Sequence, residues 1–508
     1  MIEAEVHYSL HNFLRSQSEP SWSHHLTMAR LVARALRVGR SALIQVGAAS
    51  GYQGRYRLSY LAPALMWHQP VVLVVSQKIQ QRLREVEIPK LQQWIGADKV
   101  ICTGDRLPSD DFQGLLLTSP QAWLSAQLEG RDAFPPGIPT IIDGIDDLED
   151  WTRQQLTVSI QPQDWDELML ACPQQQGQIR SARVELTKEM FQHPINPYEC
   201  YLLCAVEQDI LGNLYQSLEA QNNSCYLPQN WRNFGQRLLR DRQLLWATVA
   251  RRQGLFSLYS APAQVASELT KIWSRQPVVL VGSALEQEAS APIFCQSIGL
   301  EDVTSLKFSD DRQNNLIQLY VPDKLPLPNT PEYQPALIDK LHSLLGLSAT
   351  NLGLIVILVG DVPLKAQVGT ILAAEFGSRV QVEKTCLDDN GILVSGWEFY
   401  RQHQEVLPAP ALIVVTTLPL PSLENPLVAG RVDYYKKLRQ DWFRLYLLPK
   451  ALNQLQRAIA PMREQQGVVA LLDSRVLHRS YGSQVLAALS PLARVNYLDP
   501  SIFSQSSD

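Results

Sequence analysis

The chain has 508 residues, more than one ordinary core holds, so two or more domains are expected. Apolar residues make up 45% and charged residues 19%, globular values that exclude wholesale disorder. A net charge of −5 excludes a global positive field, so any binding of nucleic acid needs a local basic face.

Residues 1–27 read as a separate N-terminal segment without the basic-then-apolar-then-small pattern of a secretory leader. Apolar residues at helical spacing in 28–40 predict a helix ending at a glycine turn, and 41–47 is an apolar run that stops at Gly47, as a buried strand does. A helix over 58–67, a strand over 70–76 and a helix over 78–96 follow. Short β-branched strands at 100–104, 114–119 and 140–144 complete an alternating series over 28–150, which implies a parallel sheet covered on both faces. Residues 151–265 change character: 197–221 and 230–253 carry a helical period with no strand signal and predict a helical insertion. Strand pattern returns at 276–282, so 266–285 is expected to rejoin the first lobe. A second alternating series, 286–508, runs through 315–321, 353–360, 411–417 and 467–473. The expected fold class is α/β, two parallel-sheet lobes with a helical insertion in the first.

The longest apolar runs, 354–360 and 411–421, are too short to span a bilayer, so a cytoplasmic protein with no membrane partner is expected. Its seven cysteines (Cys102, Cys172, Cys200, Cys204, Cys225, Cys295 and Cys386) are expected as reduced thiols. Only Cys200 and Cys204 sit close together, and one C-x3-C pair supplies at most half of a four-ligand metal site, so no metal centre is expected.

Residues 419–435 (PLPSLENPLVAGRVDYY) and 446–482 resemble the end of DinG-type, XPD-like superfamily-two DNA helicases. There a P-F-x-S-P-x-x-P-L-V stretch precedes an arginine-bearing motif, a Gly-Val-Val strand and Leu-Asp-x-Arg. Other landmarks fall in family order: QVGAASGYQ (45–53), TIIDGIDDLED (140–150), VGSALE (281–286), a linker at 321–333 and SGWEFY (395–400). The resemblance covers nearly all of the chain beyond about residue 22. It implies two RecA-like lobes of the P-loop NTPase fold, ATP with Mg²⁺, and unwinding of DNA. Its iron–sulfur module takes four cysteines between the phosphate loop and the acidic motif; that interval here holds only Cys102, so no cluster is expected.

A phosphate loop works because glycines let backbone N–H groups surround the phosphates, while its lysine neutralises charge and its hydroxyl holds Mg²⁺. Against the family's G-T-G-T-G-K-S/T, this chain reads Gly47, Ala48, Ala49, Ser50, Gly51, Tyr52, Gln53, with Tyr52 for the lysine and Gln53 for the hydroxyl. A weak nucleotide pocket and an inherited strand–turn–helix are the two readings. Asp143 survives from Asp-Glu-Ala-His, followed by Gly144, Ile145 and Asp146. The cluster Asp146, Asp147, Glu149 and Asp150 reads as a cation site or as a solvated acidic loop or helix cap. Leu285 replaces the threonine of Ser-Ala-Thr, and Phe399 and Arg401 replace glycine and aspartate of S-F-W-E-G-V-D. Gln456 and Arg463 are kept from the arginine motif, but its first arginine is Ala460. Loss of one transition-state donor typically costs on the order of 10²–10³ in rate. Four linked losses predict lost hydrolysis, with Asp143, Gln456 and Arg463 as remnants.

Trp231, Arg232, Arg237, Arg240, Arg242, Arg251 and Arg252, with Trp246 among them, read as a surface for single-stranded DNA or RNA, by phosphate pairing and base stacking. Arg30, Arg34, Arg37 and Arg40 form a second stripe. Solvated helix faces with core tryptophans are the alternative. Three functions stay open: a helicase-fold pseudoenzyme that binds single strands or a protein partner, an active ATP-dependent DNA helicase, and a protein-interaction scaffold.

Overall fold

In the computed structural model, residues 1–17, 22–131, 133–219, 227–238, 240, 242–309, 315–348 and 353–499 are described. Two seven-stranded sheets organise the chain. The first contains β1 (Ala42–Gln45), β2 (Val71–Val74), β3 (Ile101–Thr103), β4 (Leu115–Thr118) and β5 (Thr140–Asp143). β6 (Val158–Ile160), β7 (Cys200–Leu202), β8 (Gln243–Ala250) and β9 (Leu255–Pro262) belong to the insertion, and β10 (Val278–Gly282) and β11 (Thr304–Lys307) return to the first sheet. Its order is β11-β1-β10-β5-β2-β4-β3, parallel throughout. β1, β2, β4, β5 and β10 are buried at every position, as a sheet covered on both faces requires.

The second lobe holds β12 (Ile317–Tyr320), β13 (Leu354–Leu358), β14 (Val380–Val382), β15 (Ile392–Ser395), β16 (Pro410–Val415), β17 (Val468–Leu471) and β18 (Leu492–Val495). Their order is β14-β15-β13-β16-β17-β12-β18, again parallel. Two RecA-like lobes are therefore present.

Two expectations need correction. The first lobe does not end at 285: β11 pairs with β1, so it reaches at least Lys307. TSLK is a half-exposed edge strand and lacks the apolar run that marks a buried one. The insertion is not all helical, because β6-β9-β8-β7 form an antiparallel sheet. The helix predicted through 230–253 stops at Leu238; Arg242 adopts a positive φ of 70°, and QLLWATVA then runs as a strand that turns at Gly254. The N-terminal segment packs on the first lobe through its helix. Val6, Leu10 and Phe13 of helix Ile2–Ser16 are buried in the first lobe's core.

Cys172 is disulfide-bonded, unlike the thiol expected there, whereas Cys102, Cys200, Cys204, Cys295 and Cys386 are free. Among the described residues no helix is long and apolar enough to cross a membrane. The insertion also touches the second lobe: Gly430, in helix Pro426–Lys437, lies so close to Leu202 and Leu244 that an added Cβ would sit 3.2 and 3.1 Å from them.

Candidate functional site

The C-terminal end of β1 leads through Gly47, at φ 83°, into the short helix Ala48–Gln53. Gly51 packs on Ser283, where a Cβ would approach the serine Cβ to 2.4 Å, so this turn is pressed against the strand end that follows β10. Ser50 sits half-buried on the same turn. Tyr52 packs with Ala48, Ala284 and, from the second lobe, Ala460. Burial first, then the carboxylates of Glu405 and Glu464, push its phenol pKa up. The turn ends at Gly54, which is left-handed at φ 67°; a Cβ there would meet the Arg57 guanidinium at 2.3 Å. The Gln53 side chain lies outside the described residues.

Gly54 thus lets Arg57 fold back beneath the turn. Its Nε lies 3.7 Å from Asp143, and its Nη1 lies 3.9 Å from Glu87. Asp143 is 2% exposed, and both of its oxygens are taken: Tyr56 donates its hydroxyl to Oδ1 at 2.6 Å and Tyr60 donates to Oδ2 at 2.8 Å. Burial raises the Asp143 pKa, opposed by Arg57 and the two phenols. Burial, reinforced by the Asp143 charge, holds both tyrosines well above their ordinary value.

The acidic residues that follow face the second lobe. Asp146 accepts backbone N–H groups of Ser283 and Ala284, each at 2.8 Å, and the Asn453 amide at 3.1 Å. Arg457 meets both oxygens of Asp147 at 2.8 and 3.1 Å, with Arg401 3.7 Å away. Lys450 donates to Asp150 at 2.6 Å. Glu149 is shared between Arg153, at 2.6 Å, and Arg431. Burial works against ionisation of Asp147 and Glu149, but Arg457 and Arg431 respectively outweigh it and hold both carboxyls below the usual range.

Gln456 donates to Leu452 O at 3.3 Å and borders a cavity of about 210 Å³ beside Gly47, Ser283 and Lys307. Pockets for small molecules usually occupy about 300–1,000 Å³. Arg463 is turned into its own lobe. It is 1% exposed and donates to the carbonyls of Asn315, Leu489, Ser490 and Pro491, stapling its own lobe rather than entering the cleft.

A helicase C-terminal domain model matches residues 409–492. The chain is 23% identical over 264 residues to the ATP-dependent DNA helicase YoaA of Haemophilus influenzae, covering 49% of this chain and 41% of that protein. It is also 23% identical over 267 residues to the ATP-dependent DNA helicase DinG of Photobacterium profundum, covering 48% and 38%. The chain thus spans about two fifths of the length of these curated relatives. An XPD helicase structure aligns with 94% of this chain and 100% of its own at a TM-score of 0.61 and 10% identity, and S. tokodaii Xpd4 with 93% and 100% at 0.61 and 12%. The chain is thus similar to DinG-type helicases in sequence over about half its length, and to XPD helicases in fold.

The insertion's basic residues divide. Trp231 cannot stack on a base: it is fully buried, donates its indole N–H to Asp164 O at 2.8 Å and packs on Trp165, ring centres 4.7 Å apart. Arg251 binds the Phe191 and His193 carbonyls and the Tyr201 hydroxyl at 3.1, 2.6 and 3.0 Å. Arg232 donates to Leu227 O at 3.1 Å, and Arg237 to Leu156 O. Arg240, Arg242 and Arg252 are exposed. Strand β8 separates Arg242 from Arg252 by roughly 25 Å, so they do not form one patch. Sequence reasoning missed Lys307, which donates to the carbonyls of Glu286 and Gln287 at 2.7 and 2.9 Å in the cavity wall; its strand had been placed outside the first lobe.

Proposed function

We propose that this chain is a helicase-fold pseudoenzyme that binds single-stranded nucleic acid, or a partner that processes it, without efficient ATP hydrolysis. One observation carries the reading: Asp143, the surviving metal-site aspartate, is sealed by Tyr56, Tyr60 and Arg57. A Mg²⁺ shell needs free carboxylate oxygens and room for several waters. Both oxygens here are already held in a dry pocket. The neighbouring donors support the same reading, since Tyr52 packs between lobes and Arg463 faces away. The residues present do not fit Mg²⁺·ATP.

The names of the curated relatives favour nucleic acid as the ligand class, and Arg240, Arg242 and Arg252 are among the exposed cations of the insertion, with Arg180 and Lys188. The buried Trp231 and internally tied Arg251 favour the scaffold reading instead, in which the lobes serve as shape.

The test pairs ATP turnover with single-strand binding on the whole chain. The expected result is no turnover above background with or without single-stranded DNA, and single-strand binding that weakens steeply with salt. Turnover stimulated by DNA would establish the motor reading. Absence of both turnover and binding would leave the scaffold.

A further inference from the structure

Helix Leu448–Glu464 crosses the cleft, and its polar residues obey a pattern. Lys450, Asn453 and Arg457 follow i, i+3, i+7 spacing, which places them on one helix face. Their partners, Asp150, Asp146 and Asp147, lie at the start of helix Leu148–Leu156 in the first lobe. Carboxylates at that end also face the positive pole of their own helix. Arg431 reaches Glu149 beside them, its guanidinium 3.8 Å above the Tyr446 ring.

Seven residues beyond Arg457, about 10 Å along the helix, the polarity reverses. Glu464 of the second lobe meets Arg55 of the first at 3.4 Å. Between the two fastenings Tyr52 packs against Ala460. One fastening would permit the lobes to pivot. Two, of opposite sign and separated along one helix, oppose both rotation and sliding.

We infer that these cross-lobe pairs form a clasp that holds the lobes closed without nucleotide. The carboxylates of the old acidic motif do by direct pairing what a bound triphosphate does in a motor by bridging. The inference rests on the reading of the cleft as one that does not take Mg²⁺·ATP. Its lever is ionic strength rather than nucleotide. The Arg457 and Asp147 side chains are 27% and 24% exposed, and Lys450 and Asp150 are 31% and 54%, so salt reaches them. At 1 M salt the screening length is about 3 Å.

The experiment reverses charge on one side and then restores the pairing. Lys450→Glu with Arg457→Asp should enlarge the radius of gyration in small-angle scattering. It should also raise amide exchange in residues 148–156 by about ten-fold, the change expected when several partly exposed pairs are lost. Adding Asp147→Arg and Asp150→Lys should return both readouts toward wild type. Mg²⁺·ATP should leave the wild-type radius unchanged. Should the doubly reversed protein fail to fold by circular dichroism, Arg457→Gln in the wild-type background gives the same readouts more mildly. Wild-type dimensions in the reversed variants, no recovery on swapping, or compaction by Mg²⁺·ATP would each overturn the clasp. Apart from the Mg²⁺·ATP arm, scattering is recorded without nucleotide, and nucleic acid is absent throughout, so these outcomes are independent of whether single strands bind.

Discussion

At the scale of single residues, the cleft shows that a retained letter and a retained role differ. Asp143 and Arg463 both survive from their motifs, yet one is capped by phenols and the other faces its own lobe. Sequence spacing places each residue on its element but says nothing about which side chain reaches it from 80 or more positions away. The strand–turn–helix that carries Tyr52 was legible; the packing of Tyr52 on Ala460 of the other lobe was not, because that contact depends on how the lobes meet. The Asp143 seal makes a quantitative prediction. Tyr60→Phe removes the hydroxyl 2.8 Å from a buried carboxylate, leaving Oδ2 only the Arg57 contact at 3.7 Å. A buried charged acceptor stripped of a donor costs about 1–3 kcal/mol. Urea midpoints should show a loss of that size, and a change below about 0.5 kcal/mol would mean that the phenol does not hold Asp143.

At the scale of elements, parallel strands were the most readable part of the chain. β2, β10, β13 and β17 are continuous apolar runs, and β1 is one up to Gln45, which is how fully covered strands are written. The insertion was misread because Trp231, Phe234 and Leu238 fit a helix, and the next apolar residues extend that count into β8. There Ala247 and Val249 point into the insertion's core, while Trp246 pairs with Tyr259 at 5.4 Å on the opposite face, which Leu244 shares. The same comparison separates core from binding surface. Trp231→Ala should cost about 3–5 kcal/mol, as large aromatic deletions do. Arg252→Ala, at an exposed turn, should stay within about 0.5 kcal/mol while lowering single-strand affinity if that cation contacts phosphate. Thermal melts with strand titrations decide. A stable Trp231→Ala would place the residue outside the core, and unchanged affinity after Arg240, Arg242 and Arg252 are all replaced by alanine would remove the insertion from the binding surface.

At the scale of the whole molecule, the two lobes were legible as two alternating series, but their boundary was not, because β11 is an exposed edge that carries no apolar signature. Cross-lobe contacts were equally hidden, since DDLED and KALNQLQR are unremarkable charge runs until a fold brings them together. Those contacts bear on how the chain unfolds. Two lobes with separate cores ordinarily unfold in separate steps. Here the clasp ties the lobes along helix 448–464, and the insertion, rooted in the first lobe, packs Leu202 and Leu244 against Gly430 of the second. Wild-type protein at low salt should therefore give one calorimetric transition, because opening either lobe also forfeits the shared contacts. Lys450→Glu with Arg457→Asp breaks the first fastening of the clasp but leaves each core intact, and should split the transition into two. The insertion bridge can be weakened separately. A valine at Gly430 crowds Leu202 and Leu244, and its cost of about 1–3 kcal/mol for an overpacked contact should widen the split when combined with the reversed pair. A single transition in the combined variant would show that the lobes are coupled through other contacts.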